Sequence, residues 1–377
     1  MKLKVIKHHT LYKDKRFHAA FPSIIKLDAG NYLLGFRRAP DCNWLMNGIE
    51  NFDSLSFMDH VSPRSHICLL NLDENLLQIE EEKIYPIDPE AGDQDVSLLN
   101  LGDGKVLVTG FSWYPVPGYI VKQRFQEKAE KIFSSTGCGF RYWGTFTGLS
   151  NDHGQSWEYD HKYITDSHIS SEGENNQKIG PTYGPVIDNN GELLLPVYEG
   201  DGTAVLWSSL DKGRSWRLKS TIASDPQKSI KFQEPSIIKT PSGKLIAFMR
   251  TANAESRLAT AQSLDGGGSW KPYKLHGIKG QPFHALQINY SKILLSYGYR
   301  EEPFGVRCRI LDAECEGIDT AAEIIVRDDG VCADIGYPWA VQLADDRVMV
   351  CYYWTGEDGV RFIQGTVLGL LDDTISV

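Results

Sequence analysis

Internal repetition constrains this chain more than any other feature, because copies of one unit set around an axis place equivalent residues at equivalent points. The octapeptide pattern Ser-x-Asp-x-Gly-x-Ser-Trp occurs three times, as SNDHGQSW (Ser150–Trp157), SLDKGRSW (Ser209–Trp216) and SLDGGGSW (Ser263–Trp270), with starts 59 and 54 residues apart. Degenerate versions without the tryptophan lie near Asp73 (LNLDENL) and Asp312 (ILDAECEG). The residue types suit a hairpin turn: Gly supplies a positive φ, the Asp and Ser side chains bond the turn backbone, and Trp packs beneath as an anchor. Four-stranded propeller blades repeat about every 40 to 50 residues, so three turns at this spacing point to that architecture. The turns themselves are expected to be structural and to face away from any chemistry.

A second repeat runs between the turns: a short strand, a turn and an apolar strand. It reads FPSIIKLDAGNYLLGFR from Phe21, DVSLLNLGDGKVLVTGF from Asp95, TYGPVIDNNGELLLPVY from Thr182, EPSIIKTPSGKLIAFMR from Glu234, FHALQINYSKILLSYGY from Phe283 and YPWAVQLADDRVMVCYY from Tyr337. Each copy is rich in β-branched and aromatic residues around a two- to four-residue turn, as paired antiparallel strands require. Six copies predict an all-β fold, a six-bladed β-propeller of four-stranded antiparallel blades, occupying residues 1–377 as a single domain. The stretch Gln123–Phe133 is the one candidate helix, set in a long loop. By rotation, the first residues of the copies (Phe21, Asp95, Thr182, Glu234, Phe283, Tyr337) should ring one mouth of the channel. Those sixteen further on (Arg37, Phe111, Tyr198, Arg250, Tyr299, Tyr353) should end the next strand beside the same mouth. Blade cores favour Val, Leu and Ile at such places, so Asp, Glu, Arg and Tyr there point to a functional cavity.

Composition narrows the partners. A formal net charge of −10 argues against a broad nucleic-acid or anionic-membrane surface, which needs clustered Lys and Arg. The basic, polar segment Met1–Ala20 lacks an apolar secretory core, so the chain is expected to be cytoplasmic. Seven cysteines without a C-x-x-C pair read as reduced thiols in packing positions rather than a disulfide frame or zinc site. The aromatic-rich stretch Phe111–Tyr119 (FSWYPVPGY) reads as a loop that packs the rim or stacks on a sugar.

The octapeptide turns, together with Glu234 followed by Arg250 and then Tyr337, resemble the Asp-box (BNR) exo-sialidases. That resemblance extends over nearly the whole chain and implies a sialidase-like propeller with an arginine triad, a Tyr-Glu nucleophile pair and an Asp acid/base. EPSIIKTPSGKLIAFMR resembles the segment in which a glutamate opens one strand and a triad arginine closes the next, which gives Glu234 and Arg250 those roles. DIGYPWAVQL resembles the segment presenting the tyrosine, which makes Tyr337 the candidate nucleophile. The third arginine falls between them: Arg307 in FGVRCRI, with Arg300 in GYREEPFG as the rival. The acid/base Asp is implied on the first-blade loop from Arg38 to Arg64, which holds Asp41, Asp53 and Asp59, the last beside His60. Asp59 is preferred because it precedes the next strand (SHICLLNLD) as the family aspartate does. The chain departs from the family at Ala19-Ala20-Phe21-Pro22, where sialidases carry an arginine. Arg37 or Arg38 stands near another family arginine, and Arg16 and His18 are further candidates to reach in. Asp95, equivalent to Glu234 by repeat position, lines the pocket or caps a turn.

The chemistry accounts for these residue types. A sugar with a carboxylate on its anomeric carbon is held by guanidinium groups and would repel a carboxylate nucleophile, whereas a tyrosine that passes its proton to a glutamate attacks as a neutral group. The expected activity is that of an exo-acting glycoside hydrolase on a carbohydrate substrate, a terminal and acidic sugar, with no metal or organic cofactor implied. A glycan- or protein-binding propeller without turnover, and a polysaccharide lyase, are the alternatives that the fold accommodates.

Overall fold

The computed structural model describes residues 3–41, 61–120, 138–164, 179–289, 291–344 and 346–370. These form six four-stranded antiparallel sheets. Strand β1 (Leu3–Tyr12) comes first in the chain but belongs to the last sheet. Blade 1 contains β2 (Phe17–Lys26), β3 (Tyr32–Pro40), β4 (His66–Leu72) and β5 (Lys83–Ile84). Blade 2 contains β6 (Gly92–Gly102), β7 (Lys105–Pro117), β8 (Cys138–Ser150) and β9 (Tyr159–Tyr163). Blade 3 contains β10 (Ile187–Asn189), β11 (Glu192–Tyr198), β12 (Ala204–Ser209) and β13 (Arg217–Ala223). Blade 4 contains β14 (Lys231–Lys239), β15 (Leu245–Ala252), β16 (Arg257–Ser263) and β17 (Lys274–Lys279). Blade 5 contains β18 (Phe283–Ile288), β19 (Lys292–Tyr299), β20 (Gly305–Asp312) and β21 (Glu323–Arg327). Blade 6 contains β22 (Gly336–Gln342), β23 (Val348–Thr355) and β24 (Arg361–Leu370), and β1 is its outermost strand, running from Leu3↔Leu370 to Tyr12↔Ile363. The ring is therefore closed by main-chain hydrogen bonds between the two ends of the described chain.

Because each sheet is apolar on both faces, the core is divided into clusters between neighbouring sheets. Tyr85 and Phe146 lie between blades 1 and 2, Trp207 and Leu149 between 2 and 3, and Phe232 and Leu206 between 3 and 4. Phe248 and Tyr297 fill the next interface, Tyr352 and Leu294 the one after, and Phe36 and Trp339 the junction of blades 6 and 1. Cys68, Cys308, Cys315 and Cys351 are free thiols inside this packing.

The octapeptide turns join the third and fourth strands of blades 2, 3 and 4, at the end of the blade away from the inner-strand starts. In the blade 3 copy, Ser209 Oγ donates to Asp211 at 2.8 Å and accepts from the Gly213 amide at 2.9 Å, while Asp211 accepts from the Ser215 amide and hydroxyl at 2.8 and 2.6 Å. The other two copies repeat this network. Asp73 and Asp312 stand at the same turn in blades 1 and 5, each accepting amides two and four residues on. The turn glycine has two reasons to be there. Its φ is 82° at Gly213, and a Cβ would lie 2.8 Å from Leu107 of the preceding blade. Trp216 follows it into the interface, 3% exposed, with Nε1 donating to Gly213 O. Each turn thus clasps one blade to its predecessor.

One sequence expectation changes: Phe111–Pro117 is not a loop but the outer half of β7, paired with β8 as far as Pro117↔Cys138. Trp113 and Tyr114 lie opposite Tyr142 and Arg141 there, so the aromatic residues build a strand pair beyond the blade. The candidate helix Gln123–Phe133 lies outside the described residues.

Replacing Trp216 with Ala empties a buried site between two blades and is expected to cost about 3–5 kcal/mol. Urea denaturation checks this, with the unfolding slope unchanged if only the native interface is affected.

Candidate active site

Four inner strands are interrupted at the same place. The ladder of β2 with β3 breaks between Ala20 and Ser23, that of β6 with β7 between Gln94 and Val96, that of β14 with β15 between Gln233 and Ser236, and that of β22 with β23 between Gly336 and Trp339. Within each break a non-glycine residue is left-handed: Phe21 (φ 56°), Asp95 (32°), Glu234 (48°) and Tyr337 (51°). Such bulges turn one side chain out of the pleat, at a cost of about 1–3 kcal/mol per left-handed residue. These four are equivalent by repeat position, so the rotation aims all of them at one mouth. The second strand faces each break with Arg37, Phe111, Arg250 and Tyr353, opposite Ala20, Gln94, Gln233 and Gly336. Blade 5 has no break: Phe283 pairs with Tyr297, and Tyr299 lies at the far end opposite Gly305. Thr182 precedes β10 and bonds Pro196 O at 2.9 Å.

Glu234 and Tyr337, from blades 4 and 6, meet at the mouth. The Tyr337 hydroxyl donates to Glu234 Oε1 at 2.5 Å, and Arg250 Nη1 donates to both Glu234 oxygens at 3.2 and 3.0 Å. Burial, then the Glu234 charge, raise the Tyr337 phenol well above its usual value, while Arg250 and Arg300 act in the opposite sense. Tyr337 therefore carries its proton at rest, with the acceptor already in place. Phe21 packs edge-on to the Tyr337 ring at 4.7 Å.

Arg300 lies against the same ring, Cζ 5.4 Å from its centroid, and Nη2 donates to Ile335 O at 3.1 Å and to the Tyr353 hydroxyl at 3.0 Å. Tyr353 donates in turn to Asp334 at 2.7 Å, and Asp334 is paired with Arg361 at 2.8 Å. Arg307 is not brought to this cluster. It lies in β20, 3% exposed, donating to the carbonyls of Val306, Arg327 and Pro303, with its guanidinium over Tyr299. Of the two candidates for the third arginine, Arg300 is the one beside Tyr337.

Arg37 has no exposed surface, lies 6.0 Å from the Phe21 ring centroid and approaches His18 Nδ1 at 3.3 Å. Its charge is felt by Asp95, whose carboxyl is raised well above 3.8 by burial first and by Glu234 second, with Arg37 opposing. Arg38, on the other face of β3, bonds Tyr12 and Glu82 and stacks on Phe17, and the exposed Arg16 pairs with Asp14. Of the aspartates proposed as acid, Asp41 lies just after β3, its amide bonded to Arg16 O; Asp53, Asp59 and His60 lie outside the described residues. Among the described residues no group of three or more His, Cys, Asp and Glu side chains is arranged to hold a metal.

The family described as BNR repeat-like domain matches residues 125–302. A protein of unknown function from Dyadobacter fermentans has the same fold, with TM-score 0.83 and 31% identity over 98% of this chain and 99% of that one. The NanB sialidase of Streptococcus pneumoniae superposes with TM-score 0.64 at 13% identity, over 96% of this chain and 70% of that one. Trypanosoma rangeli sialidase, in complex with 2,3-difluorosialic acid, gives 0.57 at 14% identity over 93% and 54%. No curated protein matches the chain. Residues 125–302 thus match a BNR repeat-like domain, and the chain shares its propeller fold with the two sialidases.

Asp95 offers a thermodynamic handle. A carboxyl whose folded value is raised contributes stability that is complete below its unfolded value, near 3.8, and is lost as pH rises through the folded value. Asp95→Asn, neutral at every pH, should therefore gain thermal stability relative to the unmodified protein on going from pH 4 to pH 8. Parallel melting profiles across that range would show that Asp95 is ionised in the folded state.

Proposed function

We propose that the protein is an exo-acting glycosidase that removes a terminal acidic sugar, with Tyr337 as nucleophile. The observation that carries this reading is the short bond from the Tyr337 hydroxyl to a Glu234 carboxylate that is itself held by Arg250. As Tyr337 Oη bonds to the anomeric carbon, its proton passes to Glu234 and the glycosidic C–O bond breaks. The departing oxygen takes a proton from an acid, a role assigned to Asp59 by its place in the sequence. Water then cleaves the tyrosyl–glycosyl bond, with the same aspartate as base and Glu234 returning the proton to Tyr337.

Arg250 and Arg300 flank Tyr337 and supply the cationic wall for a sugar carboxylate. A fixed positive pair in a buried mouth favours an anion there and lowers the cost of proton loss from Tyr337 as it attacks. Burial and the Glu234 charge raise the Asp95 carboxyl well above 3.8 against the opposing charge of Arg37, which suits it, in its protonated form, to donate to a sugar hydroxyl. Trypanosoma rangeli sialidase has been captured as a covalent intermediate with a fluorinated sialic acid, and the two-step scheme follows that kind of chemistry.

Ala20, fully buried where sialidases carry an arginine, favours a second reading, a propeller that binds a glycan without turnover. Release of phenol from a panel of aryl glycosides, sialic and uronic acids included, separates the two. Hydrolysis is expected for an acidic member, with Tyr337→Phe slower by about 10³-fold or more and Arg300→Met raising KM chiefly for acidic sugars. Saturable binding of an intact glycoside with no product would select the binding reading, and ultraviolet-absorbing unsaturated ends would reveal a lyase.

A further inference from the structure

Blade 3 departs from its five companions near the mouth. Its inner strand β10 has only three residues, and the chain from Ile179 to Val186 precedes it without joining the ladder to β11. Gly184-Pro185 explains the departure: proline lacks the amide a ladder needs, and a Cβ on Gly184 would lie 2.0 Å from Pro235 O, so the segment lies tight against blade 4 next to Glu234. This places Tyr183 across the axis. Its hydroxyl donates to Pro338 O of blade 6, the blade diametrically opposite, at 2.8 Å, and its ring stands edge-on to Tyr337 at 5.2 Å and 86° and to Trp339 at 6.0 Å and 79°. Pro338 lies inside the register break that presents Tyr337, where pairing with β23 does not continue. A buried carbonyl at such a point needs a donor, and the Tyr183 hydroxyl provides it. Both Phe21 and Tyr183 pack edge-on to the Tyr337 ring.

We propose that Tyr183 is a positioning residue, which fixes the blade 6 bulge and the Tyr337 ring so that the phenol stays on Glu234. The proposal rests on the role assigned to Tyr337 above. Burial, with Glu234 and Asp95 nearby, holds the Tyr183 phenol well above its usual value, so it remains a donor throughout the working pH range.

Tyr183→Phe removes the bond to Pro338 and keeps the ring, whereas Tyr183→Leu removes both. On the glycoside that the unmodified protein hydrolyses, Tyr183→Phe is expected to lower kcat about ten- to a hundredfold with KM little changed and to shift the pH–rate profile. Tyr183→Leu is expected to do so more strongly. A purely structural role would lower the melting temperature and leave the profile of the folded fraction in place. In protein labelled with meta-fluorotyrosine, the Tyr337 resonance, identified by its loss in Tyr337→Phe, should shift or split in Tyr183→Phe. An unmoved Tyr337 resonance in that variant overturns the proposal, as does a wild-type kcat with an unmoved profile. If the unmodified protein hydrolyses nothing, the proposed function fails, and the fluorine spectrum still decides whether Tyr183 fixes Tyr337.

Discussion

The pairing of Leu3–Tyr12 with Arg361–Leu370 holds the two ends of the described chain in one sheet, and the geometry of the mouth follows from it. Each interblade core presses two sheets together, so an open ring could widen at its seam. With β1 as the outer strand of blade 6, the seam becomes a main-chain ladder inside a blade, and the packing of blade 6 on blade 1 becomes one interface among equals. Only in a ring fixed in this way can Glu234 and Tyr337, 103 residues apart and two blades distant, keep a hydrogen bond of 2.5 Å.

The site itself is made by four local defects in otherwise regular strands. At each break a left-handed residue is tolerated because the sheet around it is over-determined, and the second strand contributes a facing group. Three of those facing groups are polar, and each is tied down differently: Arg250 by Glu234, Arg37 beside His18 and Asp95, Tyr353 by Asp334 and Arg300. The result is a mouth whose polar groups are held in place before any guest arrives. Preorganisation of this kind favours any process that develops charge there, since little has to reorient.

Most of the architecture is legible in the sequence because it depends on local rules. The Ser-Asp-Gly-Trp turns declare themselves through residues that bond or pack within eight positions, and the two degenerate versions at Asp73 and Asp312 occupy the same turn in their blades. The ring of bulged residues follows from counting repeats, and so does the meeting of Glu234, Arg250 and Tyr337. Counting misleads where a blade breaks the rule. Blade 5 has no bulge, so its facing residue is Tyr297 rather than Tyr299; the arginine beside Tyr337 is Arg300, on the connection between β19 and β20, the rival to the Arg307 that the resemblance put first. Tyr183 was visible only as the second residue of a repeat, and its reach across the axis depends on how Gly184 and Pro185 divert the chain. Asp334 carries no local signal at all, since its role arises from the Tyr353 and Arg361 it touches. The outer half of β7 resembles a loop in composition, because Pro115 and Pro117 mask a strand pair whose partner lies beyond a long insertion.

The distribution of the bulges has a stereochemical consequence. Six identical blades would enclose a rotationally symmetric well, in which a guest would have six equivalent orientations about the axis. Breaks in blades 1, 2, 4 and 6, with none in blade 5 and an irregular entry to blade 3, give the well unlike walls: aromatic, acidic, ionic and phenolic. A well with unlike walls removes that degeneracy: strand register fixes where each wall stands, and the residue at each break fixes what it presents.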